Sequence, residues 1–440
     1  MLIKSLEARC IGCMGWIAAL FMLAAASLAW AGPCEAPQRL CAPDGANTSA
    51  AAADPELAAA AKQAAAARRN AETASAANAD AAASRAGASA TSASTASTAG
   101  AGAAPTVPVR IALLLPTRSA TLSAAADAVR SGFMAGFERD GAGFKVELVA
   151  TGGTPQEALE AYARAAAASD IVVGPLARSA VTALAAGNGV TRPTVALNTP
   201  EGRGPLPRGL LVAGLSVEDE ARQIAEWAAR EHPQGRALVL TGNAAWSQRA
   251  AAAFNTRWEQ LGHTGQSAAL PATNGRVEPA AIDALRTRLE IDPPALLFAA
   301  LDVAELRQVR GATGTAVPCY AGGAANPGRV AGQVASAELA ELDGVRLLDL
   351  PWMVRPDDPA VMVYPRALDS EQPLDMDRLY ALGIDAFLLA RQLALHPGAP
   401  LRIEGITGQL EASDGTGRLQ RREAAAVYRQ GVFEAIDQGR

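Results

Sequence analysis

From Val107 onward, short apolar runs alternate with longer runs of mixed polarity. The short ones are "VRIALLLP", "FKVELVAT", "DIVVGP", "PTVALN", "GRALVLTG", "PALLFAALD", "VPCYAGG" and "GVRLLDLPWMV". They are too brief for helices and rich in branched residues, so they read as strands. Several are apolar throughout, the pattern of a strand covered by helices on both faces. The longer runs have helical punctuation. "SAAADAVRSGFMAGFERDG" stops at Gly141, and "PQEALEAYARAAAA" opens on a proline. "SVEDEARQIAEWAAREHP" starts at Ser216, carries acids in its first turn that oppose the helix dipole, and ends before Pro233. The alternation predicts an α/β fold with parallel sheets flanked by helices. At roughly 330 residues it exceeds the ~250–300 that one core sustains, so two lobes are expected.

Before Val107 this pattern is missing. Residues 32–106, and above all Asn47 to Thr106, are Ala, Ser, Thr and Gly with few charges, and read as a low-complexity linker. Asp54-Pro55-Glu56 followed by "LAAAAKQAAAARRN" could open a helix there. Further upstream, Lys4 and Arg9 precede an apolar stretch, Trp16 to Leu28, and then Ala29-Trp30-Ala31. Residues 1–31 therefore read as an export signal cleaved after Ala31, with an uncleaved anchor as the alternative. This predicts a periplasmic protein. Cys34 lies where a lipid-bearing cysteine would lie, but Pro33 stands where a small residue is usual. Cys34 and Cys41 are the candidates for a local disulfide. Cys319, in the apolar "VPCY", reads as a core residue, and Cys10 and Cys13 would leave with the signal.

Charge and chemistry narrow the function. The net charge of -5 leaves no basic footprint for nucleic acid or an anionic membrane surface. Half of the residues are hydrophobic, a share swollen by alanine, and aromatics are 4%. His232, His263 and His396 show no metal-ligand spacing, and no nucleophile elbow, phosphate loop or dinucleotide fingerprint occurs. No metal, no cofactor and no catalytic residue is predicted. Asp357-Asp358 and the Asp375, Asp377 pair read as loop and cap residues.

Ligands of open α/β sheets bind beyond the carboxyl ends of strands. The candidates for a ligand or partner cleft are therefore Thr117, Arg118, Ser119, Gly174, Pro175, Leu176, Asn198, Thr199, Asn243, Trp246 and Asp302. At the Gly174-Pro175 corner, glycine permits a sharp turn and proline suits a helix start, so amides of the next turn would face the cleft. The competing reading is a plain strand-to-helix connection. Trp352 reads as packing near a hinge, Trp246 as packing or cleft lining, and Arg222 and Arg391 as solvated helix faces.

The order "VRIALLLP…AADAVRSGFMAGF", "DIVVGPLARSAVTAL", "PTVALN" resembles the type I periplasmic binding protein fold. A narrower series follows: "LSVEDEARQIAEWA", "ALVLTGNAAWSQRAAAAFNTRW", "LLFAALDVAELRQVR", "ELDGVRLLDLPWMV", "RLYALGIDAFLLARQL" and "IEGITGQL". It resembles the C-terminal domain of the penicillin-binding protein activator family, from Val107 to about Asp437. The resemblance implies hinged lobes with a cleft, here residues about 107–215 with 355–410, and about 216–354 with 411–440. It implies a non-enzymatic outer-membrane lipoprotein that activates a bifunctional penicillin-binding protein, a peptidoglycan synthase, from the periplasmic side. The alternative is a solute receptor for an amino acid or peptide, feeding a transporter. Family members carry a helical-repeat domain before this one, where this sequence has the low-complexity segment, and a lipidated cysteine, where this one has Pro33-Cys34.

Overall fold

The first apolar run becomes a buried strand, whereas the second, Phe144–Ala150, forms a partly exposed edge strand. β1 (Val109–Leu115) is closed to solvent from Ile111 to Leu115 on both faces. The computed structural model describes residues 107–202, 204–328, 337–366, 374–412 and 415–436. The export signal, the linker, its possible helix, and the Cys34–Cys41 pairing lie outside the described residues.

In chain order, β1 leads through α1 (Ser123–Asp140), β2 (Phe144–Ala150), α2 (Pro155–Ala168), β3 (Ile171–Val173) and α3 (Arg178–Ala186) to β4 (Thr194–Ala196) and β5 (Leu210–Val212). These five strands form a parallel sheet ordered β2-β1-β3-β4-β5, with Ile111 of β1 opposite Val146 and Ile171. Ile111, Leu113 and Phe133 pack on one face, and Leu114, Tyr162 and Val181 on the other. That is why the runs lack alternation.

The second lobe follows through α4 (Val217–Glu231), β6 (Ala237–Thr241), α5 (Ala245–Gln260), β7 (Gly265–Ala269), the small hairpin β8 (Ala272–Thr273) and β9 (Arg276–Val277), α6 (Pro279–Ile291), β10 (Leu296–Ala300), α7 (Val303–Thr313), β11 (Cys319–Ala321) and β12 (Arg346–Asp349). Two short turns, α8 (Pro351–Val354) and α9 (Pro359–Met362), lead back to α10 (Leu374–Leu395) in the first lobe. The antiparallel strands β13 (Leu401–Gly405), β14 (Gly408–Ala412) and β15 (Gln420–Arg422) pack Leu401 and Leu410 onto its core. The chain then returns through β16 (Ala424–Arg429) and β17 (Val432–Ile436) to the second sheet. That sheet is ordered β17-β16-β12-β11-β10-β6-β7, with all strands parallel except β16, which pairs antiparallel with both β12 and β17. The chain thus passes between the lobes three times.

Local signals set the helix starts. Ser216 accepts a hydrogen bond from the Asp219 amide at 3.1 Å, capping α4 as its sequence predicts. The reading of "GVRLLDLPWMV" as one strand is corrected: the strand ends at Asp349, and Pro351 opens a helical turn. Pattern reading did not mark β5, β7 or the strands after Leu401. They are short, alanine-rich or polar, as in "GQSAA" and "AAAVYR".

The helix pair α1 and α10 joins the first lobe to the hinge. A Cβ on Gly132 would lie 1.8 Å from the Tyr380 carbonyl oxygen, and one on Gly383 2.1 Å from that of Val129. Only glycine lets these backbones approach so closely. Phe387 sits beside the crossing, edge-on to Phe133 with ring centroids 5.5 Å apart.

Candidate functional site: a two-lobed cleft and its hinge

At the end of β3 the chain turns through Gly174, at φ +115°, where a Cβ would lie 2.2 Å from the Leu114 carbonyl oxygen. Conformation and contact both demand glycine here. The Gly174–Pro175 peptide is cis. The helix starts later than the sequence suggests, at Arg178, with Ala177 at its N-cap position and no side chain capping it.

Four of the candidate side chains are taken up in bracing nearby structure. Asn198 donates to the Leu176 carbonyl at 3.0 Å and accepts from the Thr199 amide at 2.9 Å, tying the end of β4 to the Gly-Pro corner. Leu176 and Ser119 are buried, and the Ser119 hydroxyl lies 3.3 Å from that of Thr121. In the second lobe, Asp302 and Glu305 form a reciprocal capping box on α7. Asn243, although exposed, donates to the Ala272 carbonyl at 2.8 Å. Ser247, which the sequence reading missed, is fully buried; it accepts from the Gly242 amide and donates to the Ala300 carbonyl. Thr117 is half-buried and Arg118 exposed.

A groove of about 930 Å³ opens between the start of α3, the β4–β5 loop, the first turns of α4 and the β14–β15 strands. Of the eleven candidates only Thr199 lines it; Trp246 lines a small depression formed with Glu220, Leu301 and Gly322. The remaining candidates line neither. Arg222 departs from its expected role on a solvated face. It lines the groove, pairs with Asp219, and its Nη1 is closed to solvent without an acceptor among the described residues.

The hinge gathers charges that pattern reading could not. Arg378 of α10 donates to Asp349 at 2.8 Å and to the Gly323 carbonyl at 2.7 Å, linking the lobes. Asn326 donates to the same carboxylate at 2.8 Å, and Asp349 is only 2% exposed. Burial opposes the Arg378 charge, but Asp349 outweighs it and the guanidinium is held more firmly protonated than usual. Glu220, on α4, accepts from the Gly323 amide at 2.5 Å. Burial, reinforced by Asp349, pushes its carboxyl up to about 7.

A second network explains "ALGIDAF" and "IEGITGQL". Asp385, fully buried, accepts from the amides of Ile406 and Thr407 at 2.9 and 2.8 Å and from the Thr407 hydroxyl. Burial raises its pKa despite these donors. Arg421 donates to the Thr407 hydroxyl at 3.0 Å and to the carbonyls of Gly214 and Ala213 at 3.0 and 2.8 Å, binding the first and third passes together. Trp352 is buried beside Val361, Ile384 and Ile406, with the Arg366 guanidinium 3.9 Å from its ring centre.

The geometry offers recognition more readily than covalent chemistry. Cys319 is buried and its thiol is pushed up to about 11 by burial, so it is no thiolate at neutral pH. Among the described residues, no three His, Cys, Asp or Glu side chains are placed to hold a metal ion, and no helix is long and apolar enough to cross a membrane.

Two α/β lobes joined by three passes define a domain of the type I periplasmic binding protein class, and solved structures share this fold. The C-domain of LpoA (YraM) from Haemophilus influenzae, described as a regulator of PBP1A, matches with a TM-score of 0.60 at 23% identity, over 74% of this chain and 100% of that one. A structure described as a "putative branched-chain amino acid ABC transporter" from Chromobacterium violaceum matches with a TM-score of 0.58 at 33% identity, over 73% and 100%. The family model described as "LppC putative lipoprotein" matches residues 103–279 and 284–431, and the chain belongs to that family. The penicillin-binding protein activator LpoA of Edwardsiella piscicida is 29% identical over 337 residues, 66% of this chain and 46% of that protein. Its namesake from Haemophilus influenzae is 30% identical over 223 residues, 50% and 36% respectively. The chain thus spans less than half the length of these relatives.

Proposed function

We propose that this protein is a non-enzymatic periplasmic regulator that binds a bifunctional penicillin-binding protein and activates its peptidoglycan synthesis. The observation that carries this reading is the family match across residues 103–431, whose relatives are named penicillin-binding protein activators. The site supports it. Asn198, which donates to the Leu176 carbonyl, and Asp302, which accepts from the Glu305 amide, line neither cavity and are not presented to a small solute. An activator must bind the active form of its synthase more tightly than the resting form. A differential of ~1–3 kcal/mol yields about 5–150-fold. A periplasmic location with attachment to the outer membrane accords with the family's lipoprotein description. Pull-down from a periplasmic extract should recover a bifunctional penicillin-binding protein; recovery of no cell-wall synthase contradicts the reading.

A solute receptor feeding a transporter is the second reading, favoured by the 33% identity to the Chromobacterium violaceum structure. Thermal-shift screening with amino acids and muropeptides separates the two. A tight small-molecule hit with no synthase captured supports the receptor.

A further inference from the structure

The two walls of the inter-lobe groove differ in their charge balance. The acids on the α4 wall are matched: Glu218 pairs with Arg249 at 2.9 Å, Glu226 with Arg257 at 2.8 Å, and Asp219 with Arg222. The opposite wall contributes Arg178, Arg402, Arg418, Arg421 and Arg422 against a single carboxylate, Glu411. Among the described residues none of these five arginines makes a direct ion pair, although Arg178 acts on Glu218 and Asp219 on Arg421 through space; Arg402, Arg418 and Arg422 make no ion pair. Burial disfavours the charge of Arg421, while Glu423, Asp385 and, across the groove, Asp219 favour it, and its donors are taken by Thr407, Gly214 and Ala213; Arg418 donates to the Gly204 carbonyl at 3.1 Å. Arg178 Nε, like Arg222 Nη1 across the groove, is closed to solvent with no acceptor among the described residues. In a chain of net charge -5, this is a local reversal of sign.

We propose that this groove binds an acidic peptide, with a carboxylate seated against Arg178 and further carboxylates along Arg402, Arg418 and Arg422. The guanidiniums are spread over a helix start and two strands of the three-stranded sheet, so they suit spaced carboxylates better than one compact polyphosphate. Leu419 lies among them, partly exposed apolar surface for an intervening side chain. A groove of about 930 Å³ has room for several residues of an extended chain. The inference goes beyond the regulator reading and stands whichever protein supplies the peptide.

The test is calorimetric titration of the purified chain with Ala-Glu-Ala-Glu-Ala-Glu and with its all-Gln counterpart. The acidic peptide binds one to one, at least tenfold more tightly than the Gln peptide, and the difference shrinks as salt rises. The double variant Arg402→Gln, Arg422→Gln changes exposed side chains and preserves the fold, checked by its melting temperature. It weakens the acidic peptide about tenfold and leaves the Gln peptide unchanged. Equal affinity for both peptides, no binding at millimolar concentration, or displacement by pyrophosphate at lower concentration than by peptide overturns the proposal. Synthase capture is measured separately, so its loss or survival does not bear on this result.

Discussion

At the hinge, Arg378 reaches across to Asp349 and the Gly323 carbonyl of the other lobe. At the strand-end rims, Asn198 ties its loop to the Gly-Pro corner of the same lobe and Asp302 caps its own helix. Both regions are rich in polar side chains at strand ends, yet the partners differ. Hinge groups spend their charge between lobes and so fix lobe orientation; rim groups spend theirs locally and so fix loop shape. The comparison teaches that a polar residue beyond a strand end is as readily a brace as a ligand contact, and that only the partner tells which.

Removing Arg378 tests the contrast most severely. Arg378→Met strands the buried Asp349 carboxylate and should lower stability by about 3–5 kcal/mol in urea denaturation. A loss below about 1 kcal/mol would mean that the hinge pair does not brace the lobes. Next comes Gly383→Ala, whose methyl would press on the Val129 carbonyl; overpacking should cost on the order of 3 kcal/mol, read from the denaturation midpoint.

Glu220 sharpens the comparison through pH. Its folded-state pKa, about 7, lies above the ordinary 4.5, so the folded form keeps a proton that the unfolded form has released. Its contribution is fully present below pH 4.5 and is lost as pH rises through 7. Glu220→Gln keeps an acceptor for the Gly323 amide and lacks this loss. The variant should match the parent's melting temperature near pH 4.5 and exceed it at pH 8; a constant offset across that range refutes the assignment. The smallest effect belongs to the rim. Asn243→Ala, at an exposed side chain with one hydrogen bond, should stay within about 0.5 kcal/mol of the parent.

Much of the fold was legible because strands buried on both faces write themselves as unbroken apolar runs, as "RIALLL" does. Ser216 announced its cap, and the Gly-Pro corner announced a turn. The family motif "ALGIDAF" carried its meaning only in three dimensions, where Gly383 admits α1 and Asp385 receives the Ile406 and Thr407 amides. The capping box Asp302-Val303-Ala304-Glu305 was spelled out locally and would have removed Asp302 from the cleft candidates. The arginine wall had no such signal. Arg178 and Arg418 line one groove because β5 bridges to Arg418 near the end of the chain.

Glycan polymerisation by a purified bifunctional penicillin-binding protein, with and without this protein at saturating concentration, is the most direct measurement. The account predicts a rate at least about fivefold higher in its presence, the lower end of an allosteric coupling. An unchanged rate with no complex formed would contradict it.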